Sequence, residues 1–331
     1  MTKTEVLFLC NRKNASVLAF AETLKSFLKG WTIAIESPGW TTLTFDLSKY
    51  GLVHIFASPS EIDSGIVKKL ENRKSVVTLL NPVSDPKEYS GKLPSGHVTV
   101  FSQAEAGMIR ETQPRARVQV IPPCLPAPDV PSLPPSNELR NRFEVGDKFL
   151  VTVFGNLSTQ KHFDTYLYLV REYQRRRVFK AVLLLPDMDK NSTVWRERLN
   201  DTVNLERLSA ITLLSDRIDS ASMIDSSDFV LHLNREYDKQ FDTLSFVFQA
   251  LLLGKPLFCF NAPPVNEFVS GFRPKWVCRT NEDYIRESRD WLAEANQSEQ
   301  ISTEIARYAQ RLFLPQGAAS AYEKLYQEIL G

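Results

Sequence analysis

No stretch of this chain is apolar over the roughly 18 residues a membrane-spanning helix needs, so no span is expected. Charge of one sign is missing too. Forty Lys and Arg against 39 Asp and Glu leave a formal net charge of +1. That balance excludes a global basic field for nucleic acid and an acidic tail. Cysteine is scarce: only Cys10, Cys124, Cys259 and Cys278 occur, and no two share C-x-x-C spacing. Three of them sit in or beside apolar runs. Buried free thiols in a reducing compartment fit them better than disulfides or zinc. The run Val6–Cys10 is followed at once by Asn11, Arg12 and Lys13, which is not a signal-peptide pattern. A cytoplasmic location is expected, with peripheral contact at the inner face of a membrane left open. P-loop, G-x-G-x-x-G and Ser-His-Asp patterns are all lacking.

What is present is alternation. Val6–Cys10, 31–35, 53–57, 76–80, 98–101 and 118–121 read as short strands that are apolar on both faces. Between them, 15–29, 60–72 and 102–112 show helical spacing; in the first, Val17, Phe20, Ala21, Leu24 and Leu28 share one face. Such a pattern predicts a parallel sheet covered on both sides. Seven prolines then fall between Pro122 and Pro135, a density that excludes helix or sheet interior and reads as a semi-rigid linker. Alternation resumes at Phe149–Phe154, with helices expected over 160–177 and 194–208 and strands over 180–185 and 211–214. The expected division is 1–125, a linker over 126–147, a second domain over 148–315, and a last amphipathic helix within 316–331. One local basic tract, Arg171 to Lys180, reads as a helix end suited to the helix dipole, or else as a contact to anionic lipid or a phosphate-bearing acceptor.

The stretch from Ser226 to Val269 is the richest. It reads as a buried strand (229–233), a polar loop, a helix (242–253), a Gly254-Lys255-Pro256 stop, a second strand (257–260) and a loop ending at Glu267. This order resembles the donor-binding half of glycosyltransferase family 4, retaining enzymes of the GT-B fold. Other marks agree in order. Val120-Ile-Pro-Pro is similar to the end of the family's first domain, and Leu139–Asp147 to the Arg-rich start of its second. Phe154-Gly155-Asn156-Leu-Ser-Thr-Gln-Lys161 is similar to the loop that grips the donor diphosphate. The implied architecture is α/β and GT-B-like: two doubly wound Rossmann-type domains facing a central cleft, with the C-terminal helix crossing back to the first domain. The implied partner is a nucleotide sugar, with no metal and no other cofactor.

The departures matter as much. The family carries two glutamates with seven residues between them, the later on the donor ribose and the earlier at the sugar. Here those places hold Gln249 and Phe241, with Asp242 one residue on. Gln249 keeps an acceptor and two donors but no charge. Asn156 stands where Arg is usual, and Leu80 where the fourth strand often ends in His. The turn after the first strand, Asn11–Ser16, lacks glycine; there Arg12 and Lys13 offer charge instead. The resemblance therefore implies catalytic roles for Lys161, Asp242 and Glu267. Donor contacts would come from Arg12, Lys13, Gly155, Asn156, Lys161, Thr243 and Gln249. A plain reading stands beside each: Lys161 as a solvated helix-start lysine, Gln249 as a surface glutamine, Glu267 as a helix cap, and His54 as a satisfied core histidine. The expected activity is retaining sugar transfer in glycan assembly, to a glycan, lipid-linked or protein acceptor. The alternatives are a catalytically silent GT-B scaffold with a protein partner, or another GT-B activity such as an epimerase.

Overall fold

The computed structural model describes residues 5–11, 14–37, 46–62, 64–70, 72–81, 85–89, 93, 96–124, 136–155, 160–176, 179–184, 190–206, 211–214, 220–234, 241–294 and 298–331. Of residues 15, 64, 86, 162, 176, 179, 181–184, 190–193, 196, 205, 211–214, 241–243 and 298, only the backbone is described. Arg12, Lys13 and Asn156 lie outside the described residues. The chain divides into two compact units. The first comprises 1–126, 236–242 and 311–331, the second 127–235 and 243–310.

In the first unit the elements run β1 (Glu5–Cys10), α1 (Ala15–Phe27), β2 (Thr32–Glu36), β3 (Leu52–Ala57), α2 (Ser64–Leu70), β4 (Ser75–Leu79), β5 (His97–Val100), α3 (Gln103–Thr112) and β6 (Arg117–Val120). The six strands form one sheet in the order β2-β1-β3-β4-β5-β6, every pair parallel. Both faces are covered, which is why β1, β3 and β4 are nearly continuous apolar runs. Leu7, Leu9, Val53, Ile55, Val77, Leu79, Val98 and Val100 share one core cluster with Ile66 and Leu70 of α2 and Ala106 and Ile109 of α3. On the other face Phe20 of α1 packs edge-on to Phe56. α2 is shorter than the 60–72 expected. Residues 58–61 close a turn instead, with the Ser58 amide donating to the Glu61 carboxylate and the Glu61 amide to the Ser58 carbonyl.

The second unit begins with α4 (Ser136–Arg142), inside the stretch read as linker. It continues with β7 (Phe149–Phe154), α5 (Gln160–Arg176), β8 (Phe179–Leu184), α6 (Lys190–Leu205), β9 (Ile211–Leu214), α7 (Ser220–Ser226), β10 (Phe229–His232), α8 (Phe241–Leu252), β11 (Leu257–Phe260), α9 (Val265–Ser270), β12 (Val277–Cys278), α10 (Asn281–Ala293) and α11 (Ser298–Phe313). Strand order is β12-β11-β10-β7-β8-β9, again parallel. The chain builds outward from β7 to one side, then returns beside β7 with β10 and builds outward to the other. The topological switch point therefore lies between β7 and β10, where open α/β sheets bind ligands beyond their strands' carboxyl ends.

The last helix, α12 (Pro315–Leu330), belongs to the first unit, as expected of a helix that crosses back. Its Tyr322 and Tyr326 meet a row of polar side chains on the sheet face shared with Phe56. Tyr326 Oη lies 2.5 Å from His54 Nδ1, and His54 Nε2 lies 2.6 Å from Thr78 Oγ1. Thr78 reaches Thr99 at 2.6 Å and Tyr322 Oη at 3.0 Å. His54, Thr78 and Thr99 are all fully buried, so this is the satisfied core histidine of the plainer reading. The four cysteines are free and buried.

Candidate functional site at the carboxyl end of the second sheet

β7 ends in Phe154 and turns at Gly155, whose φ of 153° suits glycine alone. A side chain there has no room: a Cβ would sit 2.8 Å from Asn234 Oδ1 and 3.3 Å from Tyr166 Oη. Asn234 follows β10 and is 3% exposed. Tyr166, on α5, donates its hydroxyl to the Gly155 carbonyl at 3.1 Å. The Leu233 amide donates to the Phe154 carbonyl, closing β10 against β7. Tyr284 of α10 donates to the carbonyl of the buried His232, whose ring meets Phe154 edge-on. Backbone positions at the switch point are thus locked from three sides, and Asn234 and Tyr166 fill the space that a side chain at Gly155 would take.

Around that point the other expected residues are distributed as follows. Lys161 is exposed in the first turn of α5, where its charge opposes the helix dipole and suits an anion. Asp242 and Thr243 occupy the first turn of α8, their side chains outside the described set. Gln249, near the end of α8, is half-buried, and its Oε1 accepts a hydrogen bond from Ser220 Oγ at 2.9 Å. Ser220 opens α7, so this bond ties α7 to α8. Glu267 falls in the first turn of α9, just past β11, with its carboxylate near that helix's positive end. Gly155, Lys161 and Glu267 therefore share the carboxyl end of one sheet. In the first unit, Asn14 caps α1 by accepting from the Val17 amide at 3.1 Å, so the glycine-free turn ends in a self-capped helix.

Sequence reasoning missed Ser220, Asn234 and Tyr166. A serine opening a serine-rich segment and a tyrosine inside a helical stripe carry no local mark. Their roles exist only because the crossovers bring β7, β9 and β10 into one sheet. In the basic tract, Arg171 pairs with Glu206 and Arg175 with Glu172, so both charges are balanced inside the protein. Among the described residues no group of three His, Cys, Asp or Glu is placed to hold a metal ion. No described helix is long and apolar enough to cross a membrane.

This architecture is the GT-B fold. Among solved structures, the chain is similar to a glycosyltransferase from Rickettsia africae (TM-score 0.79, 14% identity, covering 100% of this chain and 99% of that one). It is also similar to the sucrose-phosphate synthase of Thermosynechococcus elongatus (TM-score 0.73, 13% identity, 99% of each chain). A third is Anabaena HepE in complex with UDP-glucose (TM-score 0.72, 13% identity, 98% of this chain and 99% of that one). At such identities the likeness is one of fold. No family model matches the sequence, and no curated protein matches it.

Proposed function

We propose that the protein is a glycosyltransferase that takes a sugar from a nucleotide-sugar donor, with retention of configuration, and passes it to a glycan, lipid-linked or protein acceptor in glycan assembly. The observation that carries this reading is the switch point of the second unit. Its β7 turns at Gly155, packed against Asn234 and Tyr166, and the helix that follows exposes Lys161 in its first turn. HepE, similar in fold, has been solved with UDP-glucose, which supports a donor of that class here. Lys161 neutralises the departing diphosphate. Charge stabilisation of that kind is often the largest single catalytic term. Gly155 and Asn156 approach the diphosphate, Thr243 and Gln249 contact the donor, and Asp242 or Glu267 meets the transferred sugar. Because a lysine supplies the positive charge, transfer is expected to persist in a chelator.

A second reading, a catalytically silent GT-B protein serving as scaffold or sugar-binding partner, is favoured by Phe241 and Gln249, which remove two carboxylates from the donor side. Turnover separates the two: transfer or hydrolysis with any nucleotide sugar rules out silence. The first test is a thermal-shift titration with UDP, GDP, ADP, CMP and dTDP-rhamnose. A ligand at about 100 times its dissociation constant adds roughly 2.7 kcal/mol of stability. The selected nucleotide should bind about tenfold or more weakly to Lys161→Ala, a loss typical of a removed charge-assisted hydrogen bond. Unchanged diphosphate affinity in that variant would overturn the role of Lys161. No shift with any of the five would overturn the donor-site reading.

A further inference from the structure

His54 sits where α12 meets the first sheet, and it joins the two. Its Nδ1 lies 2.5 Å from Tyr326 Oη of α12, and its Nε2 lies 2.6 Å from Thr78 Oγ1 of β4. A neutral imidazole has one N–H and one lone pair, so one of these hydroxyls donates to it. An imidazolium has two N–H groups and no lone pair, so that hydroxyl loses its acceptor. The new charge also has no water. The groups facing the ring are Phe8 of β1, Phe56 of β3, Thr78 of β4, and Tyr322 and Tyr326 of α12, and none is an anion. From α1, Phe20 reaches this face edge-on to Phe56. The Cys124 thiol, which acts on both tyrosines, is pushed up to about 12 by burial and stays uncharged. Charged groups stand at the rim. Half-buried His97 faces Arg117 of β6 and Glu328 of α12, Glu323 of α12 lies beside Gly30, and Lys74 donates to the Leu330 carbonyl.

A charged His54 can regain water with least loss of structure if α12 lifts. The strands around it are joined by parallel backbone ladders. The helix is attached through side chains, the buried Ala318, Tyr322, Leu325 and Tyr326 among them. We propose that α12 is an acid-released strap: a proton taken up by His54 lifts the helix from the first sheet while the strands beneath stay paired. The inference goes beyond the donor-site reading and does not depend on it.

The test is hydrogen exchange of the full chain at pH 7.5 and 5.5, corrected for the intrinsic amide rate at each pH. At both values α12 should open about tenfold or more as often as β3 and β4, as a sub-global opening does. Between the two, opening of α12 should rise about tenfold. That is the factor for a histidine that titrates near 6.5 when exposed and well below it when covered. In His54→Gln, which keeps hydrogen bonding and removes the titration, the rise should disappear. Tyr326→Phe keeps the titration and loses one bond, so α12 should open more at both values and keep the tenfold rise. His97→Gln should keep it too. An α12 that opens no more often than β3 and β4, or a native chain without the rise, overturns the inference. So does a rise that survives His54→Gln, or one that is lost in His97→Gln.

Discussion

His54 shows how a titratable side chain sits inside the first unit without charge. A neutral imidazole has one N–H and one lone pair, and the hydroxyls of Thr78 and Tyr326 rotate to match them. Burial holds its protonation well below the usual 6.5, because the charged form has lost water and no acid faces it. The groups around it are the hydroxyls of Thr78, Tyr322 and Tyr326 and the rings of Phe8 and Phe56. The same burial pushes the Tyr322 and Tyr326 hydroxyls up and the Cys124 thiol up to about 12. The sign follows from linkage. Below pH 6.5 the unfolded chain binds a proton at this residue that the folded chain refuses. Stability from His54 is thus fully present above 6.5 and lost as pH falls, by at most about 1.4 kcal/mol per pH unit. His97 is shifted the same way, by burial and then by Arg117, and adds to the slope. Denaturant unfolding at pH 7 and 5.5 should show the native chain losing more stability than His54→Gln, which keeps hydrogen bonding and removes the titration. Equal losses would show that His54 does not titrate across unfolding.

At the scale of elements, the stops and caps were easier to read than the short helices. Gly254 ends α8 with φ of 69°; its amide donates to the Leu251 carbonyl, and the Lys255 amide reaches back to Ala250 at 2.8 Å. This is a Schellman closure, and Gly-Lys-Pro spells it in sequence. A Cβ at Gly254 would lie 2.5 Å from the Ser302 carbonyl oxygen. Gly254→Ala should therefore cost at least about 1–3 kcal/mol in chemical denaturation, where a glycine in ordinary helical backbone would give a gain. α4 and α7 escaped because each spans seven residues, too few for a period to declare itself. α4 buries Leu139 and is tied by Arg140, which pairs with Asp228 at 3.0 Å and donates to the Ser226 and Lys148 carbonyls. α7 buries serines that weaken helices elsewhere; Ser226 and Ser227 return their hydroxyls to the carbonyls of Ser222 and Met223, each at 2.8 Å. Arg140→Ala leaves the Asp228 carboxylate without its cation, so protection from hydrogen exchange should fall first along α4 and α7. Protection falling evenly across the second unit would refute a local anchor.

For the molecule as a whole, the last helix matters most to the first unit. Ala318, Ala319, Tyr322, Leu325 and Tyr326 are buried on α12, and Lys74 of the sheet side donates to the Leu330 carbonyl at 2.8 Å. Removing Pro315–Gly331 strips the cover from His54, Thr78 and Thr99 and exposes α1. His54 Nδ1 loses its Tyr326 partner while Thr78 and Thr99 keep each other, and a lost buried partner costs about 1–3 kcal/mol. Hydrogen exchange in the truncated chain should report lost protection in β3, β4 and β5 and retained protection in β7 and β10. Full protection in the first sheet would mean that α12 is dispensable.

The two-sheet α/β plan, the strand–helix stretch from Phe229 to Phe260 and the return of the last helix were legible in the chain itself. They depend on local periodicity and on stop residues, and both are properties of consecutive amino acids. The sequence also showed Lys161 near a helix start and Gln249 where a glutamate stands in the family it resembles. It did not show that Ser220 holds the Gln249 amide, that Asn234 and Tyr166 close around Gly155, or that His54 is answered by a tyrosine 272 residues away. Those pairings join residues far apart in sequence, and parallel strands bring their carboxyl ends together only once the crossovers have closed. Hydrogen-bond partners across such distances follow from topology, which no local pattern encodes.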